Sequence, residues 1–109
     1  MIQIDQRAVD NIVNSSTPEK EMLVCIEELA ELQKELCKEI RGKGNWQAIY
    51  EEMSDVLLTV EIMRHLFSFT EEQIQQMISY KLGRTLADLK KEKNKDEQMV
   101  AVSNFPPDA

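Results

Sequence analysis

Three glycines and three prolines are the only strong backbone breakers in this 109-residue chain, and two of the prolines fall in its last four residues. A fold built from many short strands needs turn residues throughout, so this scarcity points to helices. Histidine is nearly absent, with one residue, and there are only two cysteines, Cys25 and Cys37. One imidazole and two distant thiols cannot make a structural zinc site. On a single helix the two cysteines would sit about 18 Å apart, too far to pair. Two unpaired thiols suit a reducing cytoplasm, which is the expected location. No N-terminal signal peptide is visible, and no apolar run approaches the roughly 20 residues needed to span a bilayer. Basic residues are also few, 13 Lys and Arg against 20 Asp and Glu, for a net charge of −7. That balance argues against nucleic acid and against an anionic membrane as partner. It leaves room for cations.

What remains is ordinary globular material, with 42% hydrophobic residues, enough for one domain with a modest core. The pattern predicts an all-α fold: an antiparallel bundle of about four helices, completed by oligomerisation. Residues 1–97 are expected to form the single domain, and 98–109 a loose C-terminal tail ending SNFPPDA. A short first helix is expected over about 5–14, with Ala8, Val9, Ile12 and Val13 on one side. SSTP then starts a second helix, with Thr17 as N-cap and Pro18 in the first turn. Its apolar stripe is Met22, Cys25, Ile26, Leu29, Leu32, Leu36 and Ile40. RGKGN ends it, with Gly42 as the left-handed residue and Asn45 capping the third helix, about 46–68. In that helix Trp46, Ile49, Met53, Val56, Val60, Met63 and Phe67 form a stripe, and from Val56 onward apolar residues occur nearly all round. This predicts burial on more than one face. TEEQ at 70–73 is a capping box for a fourth helix, which becomes strongly charged at KKEKNKDE.

Carboxylates interrupt the second and third helices in one repeated spacing. EELAE at 27–31 and EEMSD at 51–55 each set two acids three residues apart, Glu28 with Glu31 and Glu52 with Asp55. Glu27 points to the outer side. If RGKGN folds the two helices back on each other, the two pairs differ in height by only about 6 Å. Four carboxylates in a partly dry groove must then be protonated or share a cation. Oxygen ligands alone favour Mg²⁺, or Mn²⁺ in its place. The competing reading is a solvated acidic face, which acidic helices commonly show.

The order and spacing of EELAE and EEMSD, followed by DVLLTVEIM, resemble the EExxE…ExxD signature of the MazG-like all-alpha nucleoside triphosphate pyrophosphohydrolases. The resemblance spans about 17–90. It implies a dimer or tetramer that cleaves a nucleotide, with Mg²⁺, to the monophosphate and pyrophosphate. By position it makes Glu28, Glu31, Glu52 and Asp55 metal ligands and Glu27 an accessory glutamate. Lys81 and Arg84, three apart on the fourth helix, become candidates for gripping the outer phosphates, although SYKLGRTLADL is less regular than the family's basic series there. Trp46 is a candidate for stacking on a base, or else an anchor in a core or interface. The competing function is a non-catalytic helical interaction module, for which Mg²⁺ would be irrelevant. A di-iron bundle wants two Glu-x-x-His pairs, and the lone His65 cannot supply them.

Overall fold

The computed structural model describes residues 2–103, with side chains through residue 98. Four helices account for almost all of it: α1 (Gln6–Ser15), α2 (Pro18–Ile40), α3 (Trp46–Leu66) and α4 (Glu71–Ser103). There is no strand among the described residues, and no described helix is long and apolar enough to cross a membrane.

The helix starts follow from their caps. The Asp5 carboxylate accepts from the backbone N–H groups of Arg7 and Ala8, at 3.0 and 3.2 Å. Thr17 Oγ1 accepts from Lys20 N–H at 3.2 Å, and Pro18 occupies the first turn. Asn45 Oδ1 accepts from Gln47 N–H at 2.9 Å. Each cap satisfies donors that the first turn leaves without helical partners. The α2–α3 link needs both of its glycines. Gly42 has φ +75°, where a Cβ is strained. Gly44 lies against Glu39, and an added Cβ would stand 2.7 Å from the Glu39 Cα. α3 closes on Ser68, a non-glycine residue at φ 59°, with Phe69 N–H donating to Arg64 O at 3.0 Å.

Two compact units divide the chain between Thr70 and Glu71. The first is α1, α2 and α3, where α2 and α1 both pack on α3. The second is α4, on which every described side chain is exposed. The helix continues through 98–103, which the pattern assigned to the tail. Residues 104–109 lie outside the described residues.

At ten residues α1 is too short to hold its conformation unaided. It is held by Val9, which is 1% exposed, and by a polar cluster on α3. The His65 ring places Nδ1 2.6 Å from Asp10 Oδ1 and Nε2 2.5 Å from Gln6 Oε1. The Arg64 guanidinium donates to Gln6 Oε1 at 2.8 Å, to the Glu61 carboxylate and to Phe69 O. Arg64, and beyond it burial set against it, holds the Glu61 carboxyl below its usual value.

The two glycines outside positive φ separate local strain from helix propensity. Gly44→Ala should destabilise the protein by roughly 1–3 kcal/mol, since the Glu39 backbone must move. Gly83 lies inside α4 with open space where a Cβ would be, so Gly83→Ala should stabilise that helix by about 0.5–1 kcal/mol. Thermal melts of both variants check the opposite signs.

Candidate metal centre

The packed sides of α2 and α3 mix apolar residues with carboxylates. On α2 the inward line is Glu21, Cys25, Glu28, Leu32 and Glu35, buried or half-buried at every position. Ile26, Leu29, Leu36 and Ile40, expected in the core, are 60, 47, 45 and 86% exposed. On α3 the buried residues are Thr59 and Ile62, and Glu52 lies half-buried on the same side, about two and three turns earlier. The expected core stripe is divided: Ile49, Val56 and Met63 are half-buried, while Trp46, Met53, Val60 and Phe67 are exposed. Burial of α3 on more than one face is met only at its end, where residues 61–66 are all buried or half-buried and α1 as well as α2 packs on the helix.

Because the acids lie on the packed sides, they converge. Glu28 from α2 and Glu52 and Asp55 from α3 each offer an oxygen, all within 4.8 Å of one another. Glu31, one turn beyond Glu28, is exposed and outside this group of three. Its charge nevertheless reaches both Glu28 and Glu52. Glu27 is exposed and also outside the group. The spacing argument overlooked Glu35, whose charge also bears on Glu52. Its signal was present, since Glu28, Glu31 and Glu35 follow an i, i+3, i+7 series. Glu35 has a cation of its own, Lys38 Nζ at 3.3 Å.

The crowding shows in the acid chemistry. Desolvation first, and then the charges of Asp55 and Glu52, push the Glu28 carboxyl above its usual value. Glu52 is pushed the same way by desolvation and by Asp55 and Glu31, while a hydrogen bond with Glu28 acts against the shift. Glu52 Oε2 is buried and has no hydrogen-bond partner. An orphaned carboxylate oxygen is costly unless protonated or bound to a cation. The donor set fits a hard divalent ion. Oxygens on opposite sides of Mg²⁺ stand about 4.2 Å apart, so a group within 4.8 Å needs only small side-chain rotations to close. Glu28, Glu52 and Asp55 are the residues that could hold the ion.

Trp46 does not join the carboxylates. Its line along α3, with Tyr50, Met53 and Leu57, lies about 160° around the helix from Glu52 and Asp55, at about 100° per residue. Six and nine residues of separation turn the acids away from the ring. Lys81 and Arg84 are exposed and share one side of α4. Compared with protein-family models, curated proteins and solved structures, the chain gives no significant match to any of them.

Two measurements follow from the crowding. With divalent cations chelated, Glu28 and Glu52 hold protons more tightly folded than unfolded. Above about pH 4.5 the native state then binds the extra protons, so stability should fall as pH rises through the raised folded values. Glu61 acts oppositely, and its contribution should be lost as pH falls below 4.5. Thermal melts in chelator across about pH 4–8 should show both limbs, and Glu52→Gln should flatten the upper one. At neutral pH, Mg²⁺ should raise the melting temperature of the wild type by mass action but not that of Glu52→Gln. Equal Mg²⁺ shifts in the two proteins would remove Glu52 from the ligand set.

Proposed function

We propose that the chain is a Mg²⁺-dependent nucleotide pyrophosphohydrolase of the MazG-like kind, cleaving a ribo- or deoxyribonucleoside triphosphate to the monophosphate and pyrophosphate. The observation that carries this reading is the convergence of Glu28, Glu52 and Asp55 from two helices, with Glu52 Oε2 buried and unpartnered among them. A buried carboxylate oxygen without a partner is not expected of acids on a fully solvated face. In this reading α2 and α3 are an antiparallel pair within a bundle that a homo-oligomer, dimer or tetramer, completes.

Glu28, Glu52 and Asp55 hold the ion, and Glu31 stands beside them to take part once a substrate is present. Mg²⁺, with Mn²⁺ as substitute, supplies positive charge to the phosphate oxygens and acidifies water. The chain's own contribution is to gather the carboxylates, exclude part of the solvent and leave an oxygen of Glu31 or the accessory Glu27 to accept the proton of the attacking water. Lys81 and Arg84 are the proposed grip on the outer phosphates, which carry most of the substrate's charge. Trp46 is withdrawn from the base-stacking role within this chain, because its side of α3 is turned away from the acids.

A second reading has its own observation. Large side chains from Ile26 and Leu29 on α2 to Leu82 and Leu86 on α4 are exposed, as a helical interaction module would require. Mg²⁺ dependence separates the two, since such a module has no use for the ion.

A panel of ribo- and deoxyribonucleoside triphosphates with Mg²⁺, scored for pyrophosphate release, tests the activity. Asp55→Asn should lower turnover by about 10²-fold or more, as expected when several kcal/mol of charge stabilisation is lost. Lys81→Ala should weaken triphosphate binding while leaving Mg²⁺ binding, read by calorimetry, nearly intact. Wild-type turnover in Asp55→Asn would return the cluster to a structural role.

A further inference from the structure

The side of α3 that faces away from the carboxylates is the most continuous apolar surface of the first unit. Trp46, Tyr50, Met53 and Leu57 follow one another at helical spacing and are 77, 63, 50 and 44% exposed. With Ile2 and Ser54 they line a shallow groove. Val60, 49% exposed, continues the line. No charged residue interrupts it between Trp46 and Val60, because Glu51, Glu52 and Asp55 occupy the other sides of the helix.

We propose that this Trp46–Tyr50–Met53–Leu57 face is where a second copy of the chain docks. The inference rests on the self-association proposed above and adds the surface that makes it. Three observations select a second copy and this face. First, among the described residues only Val9, Cys25 and Ile62 are buried hydrophobics, and a seam lined by glutamates is a poor substitute for a core. A contact that buries the outward residues supplies what is missing. Second, the chain carries net −7, so two copies repel wherever charged surfaces meet. The rival stripe on α2, Ile26 to Ile40, lies on a helix with seven acidic and three basic residues. The α3 face brings none into contact until Glu61. Third, the area is right. Two aromatic and four aliphatic side chains at these exposures offer on the order of 600–700 Å² per copy, against roughly 800 Å² in a standard interface. A two-fold contact sets the same patch against itself, and a patch without charge is self-complementary by default. Trp46 and Tyr50 within it are of the residue types that anchor such contacts.

Sedimentation of the full chain tests this, using Tyr50→Glu, Leu57→Glu and Ile26→Glu with helicity checked by circular dichroism. The wild type should associate at micromolar concentration. Tyr50→Glu and Leu57→Glu should each raise the dissociation constant about 30-fold or more, and Ile26→Glu should leave it unchanged. Trp46 is the only tryptophan, so its emission gives a reading without mutation if a variant fails to fold. It should lie to the blue in the associated protein and move to the red on dilution, in step with sedimentation. A wild-type monomer at high micromolar concentration overturns both the face and the self-association. An associated wild type in which Ile26→Glu alone dissociates, or in which Trp46 emits as an exposed indole, overturns the face and leaves self-association standing. None of these outcomes touches the metal centre, which is read separately by Mg²⁺ calorimetry.

Discussion

Carboxylates placed in the seam between α2 and α3 are the constraint on which the rest of the first unit depends. Two helices normally bring their most apolar sides together. Here Glu21, Glu28 and Glu35 line one side of the seam and Glu52 and Asp55 the other, with Cys25, Leu32, Thr59 and Ile62 between them. Like charges at this range, partly removed from water, oppose the pairing that brings them together. The pair is therefore held by what surrounds the acids: the caps at Thr17 and Asn45, the link at Gly42 and Gly44, and the small apolar contacts of the seam. Protons or a cation must supply the balance. The raised carboxyls of Glu28 and Glu52 are the sign of that debt in the protein without an ion.

The inward acids and the outward hydrophobics have one cause. A helix has a fixed circumference, and α3 assigns one side to Glu52, Asp55, Thr59 and Ile62. The rings and aliphatic side chains that the composition supplies must then occupy the others. A chain that spends its internal contact on chemistry must find its apolar contact outside the unit. The proposed metal centre and the proposed docking face are thus opposite sides of one allocation.

Much of this was legible beforehand, for reasons that differ by residue. The helix limits followed from local chemistry: Thr17 and Asn45 as acceptors, Pro18 in a first turn, Gly42 in the left-handed region. The carboxylate pairs were legible because i, i+3 spacing is local and only one turn separates the helices. The packed faces were not. Apolar periodicity says which side of a helix avoids water, but not whether a neighbour in the same chain covers it. For α2 and α3 it joined inward residues such as Cys25, Leu32 and Val56 with outward ones such as Ile26, Leu29 and Met53. Glu35 was missed because the search ended at the familiar pair. The contact between His65 and Asp10, 55 residues apart, has no local signature at all.

The link and the seam together also set how the chain can tolerate a change in its length. The candidate ligands depend on angular phase about two helix axes. An extra residue in α2 between Glu31 and Arg41 would leave every side chain present and every charge unchanged. It would turn Glu28 by about 100° relative to the link and carry it out of the seam. An extra residue at Lys43, between the two constrained glycines, would instead be absorbed as loop, at small cost in closure entropy. Length variation among any relatives of this chain should therefore collect within residues 41–45 and be absent from the two helical stretches that connect the link to the acids.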